Sequence, residues 1–387
     1  MFSRRTDWSL APNPLTRALH EAYESGKTII DLTVSNPTQV GITYNGPAIL
    51  DSLRNEKSLD YNPESKGLLS AREAVAAYHK ERGETIDPQN VVLTASTSEA
   101  YSFLFRLLAN PEEEVLVPKP SYPLFEFLAD LQDVKLAPYP LLYDHGWQID
   151  MHGLEHALSH KSRAMVLVNP NNPTGSFISP EERGQLNEIC KRTGMALIVD
   201  EVFLDYAHDG QRRPSFANNS DALTFTMNGL SKISALPQMK LGWIAVSGPS
   251  TAVQDALARL EVIADTYLSV NTPVQLAAPI LLEERKSIQP QLMRRIQENL
   301  HELDRQVGAN RSCSRLEVEA GWYAVLRVPA TESDEELAIE LIRNCGVFVH
   351  PGHFYDFGQD GYLVMSLITE PAAFREGLSR ILGDVGC

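Results

Sequence analysis

The chain has 387 residues, 43% of them hydrophobic and 22% charged, the proportions of an ordinary globular protein with room for two domains. Its formal net charge of −16 argues against a nucleic-acid or anionic-membrane partner, because phosphates would be repelled. No run approaches the ~18 apolar residues that cross a bilayer, and Met1 to Trp8 lacks the apolar stretch of a secretory signal, so a cytoplasmic location is expected.

Residues 14–25 have helical spacing (Leu15, Ala18, Leu19, Ala22) and stop at Gly26. Residues 28–34 read as a strand, followed by the turn-rich Ser35-Asn36-Pro37-Thr38. Residues 60–67 form a loop that leads into an amphipathic helix at 68–82. From Asn90 strands alternate with helices. Strands are expected at 91–95, 114–118, 164–169, 195–200, 222–227 and 242–247, and helices at 98–109, 122–131 and 180–193. Continuous apolar strands in that alternation predict an α/β fold, a large domain with a mostly parallel sheet flanked by helices.

Helices follow at 251–263 and 272–307, the second long enough to bridge domains. Shorter strands (316–319, 323–328, 347–350, 362–367) mixed with helices at 334–344 and 371–382 predict a smaller α+β domain. The expected division is 1–40 for an N-terminal arm and part of the small domain, 41–270 for the large domain, and 271–387 for the interdomain helix and small C-terminal domain. The four cysteines (Cys190, Cys313, Cys345, Cys387) are widely spaced, which predicts reduced thiols and no metal site.

The chemistry gathers after the strands. Lys232 follows an apolar run that breaks at Asn228-Gly229. Desolvation there would lower its pKa and make it a carbonyl-trapping nucleophile, whereas a solvated surface lysine is the bland alternative. Ser96 and Thr97 stand at a helix N-terminus, where hydroxyls cap and free N–H groups can hold a phosphate. Tyr122 could offer its face to a flat ligand or simply pack as core. Asn172 lies between two Asn-Pro pairs, as a possible donor to a phenolate-type oxygen or as part of a rigid turn. Asp200 ends a buried strand and needs a partner, for which a protonated ring nitrogen is one candidate.

Asn-Pro-Asn-Asn-Pro-Thr-Gly at 169–175, Asp-Glu-Val at 200–202 and Ser-Lys at 231–232 closely resemble the fold-type I pyridoxal-phosphate (PLP) enzymes, most of all the class I/II aminotransferases. The resemblance implies that Lys232 carries the cofactor as an aldimine, that Asp200 pairs with its pyridinium nitrogen, and that Asn172 bonds its 3′-oxygen. It further implies that Tyr122 stacks on the ring, that Ser96, Thr97, Ser231 and Lys240 hold the phosphate end, and that Tyr61 reaches the partner subunit's phosphate in a homodimer. The expected reaction moves an amino group between an amino acid and a 2-oxo acid. The alternative is a C–S β-lyase on the same scaffold, and a ligand sensor is disfavoured because no helix-turn-helix precedes the first strand.

Four positions depart from the family pattern. Phe203 replaces a tyrosine that donates to the ring oxygen, a role Tyr206 could take over. Gly229 replaces a phosphate-binding serine, and Lys240 an arginine, keeping the charge without the fork. Val364 stands where an arginine clamps the substrate carboxylate. Asn36, Arg327, His353 and Tyr355 are the candidate substrate-binding residues, with Arg327 first as the replacement clamp and a surface position as its equal alternative. Tyr122, Phe203, Tyr323, Phe354 and Tyr355 suggest an apolar or aromatic substrate.

Overall fold

A computed structural model describes residues 1–310 and 312–385, so Cys387 lies outside the described residues. In chain order the elements begin with α1 (Pro14–Glu24), β1 (Ile30–Asp31), α2 (Gly46–Ser52) and α3 (Leu69–Arg82). The alternating part follows: β2 (Val91–Thr94), α4 (Thr97–Leu108), β3 (Glu114–Lys119), α5 (Phe125–Asp130), β4 (Lys135–Tyr143), β5 (Trp147–Ile149), α6 (Met151–Ala157), β6 (Ser162–Val168) and α7 (Pro180–Thr193). It closes with β7 (Ala196–Asp200), β8 (Thr224–Gly229), α8 (Leu230–Ile233), β9 (Gly242–Ser247) and α9 (Ser250–Tyr267). The last third holds α10 (Thr272–Glu283), α11 (Arg285–Gly308), β10 (Ser314–Arg315), β11 (Tyr323–Arg327), α12 (Asp334–Glu340), β12 (Val347–Phe348), β13 (His350–Pro351), β14 (Tyr362–Ser366) and α13 (Pro371–Asp384).

Eight strands make one sheet in the order β2-β9-β8-β7-β6-β3-β4-β5. Its centre, β8 through β7, β6 and β3 to β4, is parallel, and the strands at either edge pair antiparallel. The continuous apolar runs are explained by burial on both faces. In β7, Ala196 and Ile198 join one core while Leu197 and Val199 join another, and β6 divides in the same way. A four-stranded antiparallel sheet, β10-β11-β14-β13, organises the C-terminal part. β1 pairs in parallel with β12, and Leu15 and Ala22 pack on Ala338 and Ile342, so the N-terminal segment is built into that same region.

Several expected elements change. The strand expected at 28–34 shrinks to Ile30–Asp31, the two residues that find a partner in Val347 and Phe348. The single helix at 272–307 is two, because α10 ends at Glu283 and α11 starts at Arg285, with Glu284 as the cap between them. The strand expected at 316–319 lies earlier, at Ser314–Arg315, where β11 supplies the ladder. β4 escapes the pattern because Pro138 and Pro140 sit inside it and supply no N–H to β3 or β5. Lys232 lies on the one-turn helix α8 rather than on a loop.

The cysteine expectation is also corrected. Cys190 and Cys345 are free, but Cys313 is disulfide-bonded, since sequence spacing does not report spatial proximity.

Candidate active site

The central parallel strands all deliver their C-terminal ends to one side of the large sheet, where an open α/β sheet places its ligands. β7 ends at Asp200, β6 runs into the Asn169–Gly175 turn, β3 runs into the Tyr122 segment, and β8 runs into α8 with Lys232.

Lys232 Nζ stands 4.8 Å from the centre of the Trp322 ring and 5.6 Å from that of Phe203. Among the described residues it makes no hydrogen bond or ion pair. Burial lowers its pKa to about 8, against the opposing pull of Asp200. The backbone beneath it is fixed from three sides. Tyr206 donates to the Lys232 carbonyl (2.6 Å), Gln289 to that of Ile233 (2.9 Å) and Tyr44 to that of Ala235 (2.9 Å). Tyr206, expected as a substitute donor for the ring oxygen, has its hydroxyl committed to the backbone of the lysine instead.

Asp200 is 8% exposed. Its Oδ1 accepts from the Val202 N–H (3.1 Å) and its Oδ2 from the Tyr101 hydroxyl (3.1 Å). Burial still raises the carboxyl to about 6, the two donors and Lys232 pulling the other way. Its neighbour Glu201 faces elsewhere. That side chain accepts from the Ser215 hydroxyl and the Phe216 N–H and is raised by burial to about 7.

Asn172 keeps a buried side-chain oxygen without a partner, whereas Asn171 is consumed by the fold, donating to Pro120 and Thr174 and accepting from Ser121. Ser96 caps α4 by accepting from the Glu99 N–H (3.2 Å), and Thr97 is its first residue. Gly229 pairs with Gly242, and a Cβ on Gly242 would come within 3.2 Å of the Ser96 carbonyl carbon, so the lysine turn lies directly against the start of α4. The departure at Gly229 has a steric reason, since a Cβ there would meet the Leu241 carbonyl oxygen at 2.9 Å.

Tyr122 is half-buried, its ring edge-on to Phe125 at 6.1 Å, and burial raises its hydroxyl to about 12, helped by the nearby Asp200. Tyr355 is buried and feels both Tyr122 and Tyr323; its ring lies 6.5 Å from that of Tyr323. The Ser121 N–H donates to the Tyr355 carbonyl (2.9 Å), which joins the Tyr122 loop to the C-terminal part.

The remaining expected residues are less central. Lys240 is exposed with φ of 53°, and Tyr61 is 83% exposed on the surface. Ser231 is half-buried at the start of α8. Asn36 spends its side-chain oxygen on the Thr38 N–H and hydroxyl. His353 is exposed; the histidine turned inward is His350, which pairs in register with Val364 and lies 3.2 Å from the Tyr355 hydroxyl. Arg327 is exposed at the far end of β11, four residues or about 13 Å of strand beyond Tyr323, so it is not gathered with the other groups. Tyr101 and Trp322 were not singled out by the sequence, because a tyrosine on a core-facing helix and a buried tryptophan just before a strand carry no spacing signal.

These groups fit a pyridine ring bearing an aldehyde and a phosphate. The amine is desolvated and unpaired, the carboxylate is buried, an amide oxygen lacks a partner, and the first residues of α4 lie beside the lysine turn.

The family described as aminotransferase class I and II matches residues 7–381. Over 279 residues the chain is 30% identical to a glutamate-pyruvate aminotransferase of Haemophilus influenzae, covering 71% of this chain and 69% of that one. It is 28% identical to the human tyrosine aminotransferase over 262 residues, 64% of this chain and 58% of that one. Among solved structures, the alanine aminotransferase of Pyrococcus furiosus superposes with a TM-score of 0.89 at 21% identity over the whole of both chains. An Escherichia coli aminotransferase gives 0.87 at 22% identity, covering 100% of this chain and 98% of that one.

Proposed function

The chain belongs to the class I and II aminotransferase family, and from that premise we propose that Lys232, Asp200 and Asn172 form the working centre of its site. The enzyme is a PLP-dependent transaminase that moves an amino group between an amino acid and a 2-oxo acid. The desolvated, unpaired amine of Lys232 near the buried Asp200 carboxylate is the observation that carries the residue assignment.

Bound PLP supplies a carbonyl that captures amines and a ring that accepts the electron pair released at the substrate Cα. The chain's own groups do the rest. With its pKa near 8, the Lys232 amine is partly neutral at physiological pH, so Nζ can attack a carbonyl and later take and return the proton of the substrate Cα. With the cofactor bound, Asp200 in its ionised form would hold a proton on the ring nitrogen. The Asn172 side chain would bond the ring hydroxyl, and Thr97 and the free N–H groups at the start of α4 would hold the phosphate. Phe203 and Trp322 exclude water from the lysine.

The rings of Tyr122, Phe203, Trp322, Tyr323 and Tyr355 favour an apolar or aromatic amino acid. A homodimer is proposed from the exposed Leu59, Tyr61, Tyr267 and Leu268, with Tyr61 reaching the partner's phosphate; sedimentation of the purified protein tests it. Residues 41–270 would then carry the cofactor, with 1–40 and 271–387 contributing the substrate side. A cytoplasmic location is favoured by the free Cys190 and Cys345 and opposed by the disulfide at Cys313; cell fractionation decides between them.

The named relatives are transaminases, which favours that reaction over C–S lysis. Titrating the purified holoenzyme with amino acids should convert its visible band to that of the amine form with one equivalent of 2-oxo acid. Ammonia and pyruvate from a cysteine conjugate, without the amine form, would overturn the assignment. A visible band that survives Lys232→Ala and dialysis would remove Lys232 from its role.

A further inference from the structure

We infer that Tyr101 is a positioning residue that keeps Asp200 in its ionised, ring-binding form. The inference rests on the proposed role of Asp200. Tyr101 lies on α4, is 2% exposed, and its hydroxyl donates to Asp200 Oδ2 at 3.1 Å. Its ring is held edge-on to Phe125 at 5.4 Å and tilted against Phe105 at 5.9 Å, so the hydroxyl is aimed by packing rather than by solvent.

A buried carboxylate that must stay charged needs donors, and Asp200 has few. The groups that act on it are the Val202 N–H at Oδ1, Tyr101 at Oδ2, Lys232 on α8 at longer range, and Tyr122 on the segment before α5. Tyr101 is itself faced by Asp200, Tyr122 and Tyr139. Neither tyrosine neighbour carries a charge near neutral pH, and Lys232 makes no ion pair with Asp200. The Tyr101 hydroxyl is therefore the one side-chain hydrogen bond to this carboxylate among the described residues.

A donor to the ionised form lowers a carboxyl pKa, so removing it must raise the Asp200 midpoint above about 6. Tyr101→Phe deletes only the hydroxyl. The test follows Asp200 in the full-length, cofactor-free chain by carbon NMR of labelled aspartate, and measures PLP affinity by equilibrium dialysis from pH 5 to 8.5.

The midpoint should rise by about one unit. PLP affinity should match wild type at pH 8.5 and fall ~3- to 10-fold below it near pH 6. Phe125→Leu, which loosens the ring packing but spares the donor, should shift Tm and leave the Asp200 midpoint in place. An unmoved midpoint in Tyr101→Phe, with or without a change in Tm, overturns the inference. Asp200→Asn separates the two claims: if its PLP affinity keeps the wild-type pH dependence, the proposed role of Asp200 itself fails.

Discussion

At the ends of β6, β7 and β8 the chain buries groups that cost stability. Along β11 and β14, on the C-terminal side, it buries hydrocarbon. Asp200 and Lys232 are both desolvated far enough to move their pKa values toward neutrality. Val364, Val325 and Leu363, by contrast, are ordinary core residues, and Val364 is fully buried at the position where the family pattern has an arginine. Shifted ionisable groups of this kind cluster at functional sites. Strain of that kind marks the proposed cofactor end, while β11 and β14 bear no comparable electrostatic mark.

The sharpest way to break this contrast is at the lysine. Lys232→Ala removes both the attacking amine and the base, and kcat for transamination should fall at least ~10³-fold in steady-state assays. Asp200→Asn should split function from stability. Its carboxyl is raised from 3.8 to about 6, so the native state binds the extra proton between those values and loses stability as pH rises through that window. At pH 7 the cofactor-free Asp200→Asn protein should therefore be more stable than wild type, by an amount on the order of 3 kcal/mol in denaturant unfolding. That advantage should shrink as pH falls from about 6 and be gone below about pH 4, and kcat should fall about 10²-fold or more. A destabilised Asn variant would mean that the site is not under the electrostatic strain described.

Gly229→Ser tests the phosphate end. Restoring the family's serine puts a Cβ 2.9 Å from the Leu241 carbonyl oxygen, in a strand end pressed against Gly242. The expected cost is about 1–3 kcal/mol of stability, with weaker rather than stronger PLP retention on dialysis. Tighter retention would mean that the turn can open to admit the hydroxyl.

How much of this was readable in advance follows the same division. The parallel core, the capped start of α4, and the positions of Asp200, Asn172 and Lys232 at strand ends were legible, because each depends on local pattern and on motifs of fixed spacing. β4 was not, since Pro138 and Pro140 disguise it, and neither was the break at Glu284 between α10 and α11. Tyr101 reaches Asp200 across 99 residues of sequence, and Trp322 meets Lys232 from the segment just before β11. Contacts of that range are set by tertiary packing, on which periodicity is silent. That His350 rather than His353 turns inward was not legible for a related reason. Both lie in one short stretch, and only the pairing of His350 with Val364 decides which ring turns inward.

The smallest expected effect is at Arg327, and it bears most directly on the substrate end. As the nearest arginine in sequence to the Trp322-Tyr323 strand, it was the first candidate to replace the missing clamp. In the structure it projects into solvent at the end of β11 opposite Tyr323, paired in register with Tyr362. Its exposed guanidinium lies about 13 Å of strand beyond Tyr323 and is not gathered with Lys232, Tyr122 and Tyr355. Arg327→Ala should therefore leave KM for every amino acid within about twofold and stability within about 0.5 kcal/mol. Tyr355→Phe, which removes a hydroxyl buried beside His350 and near Tyr122, should raise KM by more than Arg327→Ala does. If the order is reversed, the carboxylate is read from the far end of β11, and the aromatic side of the site is not where the substrate's acid group binds.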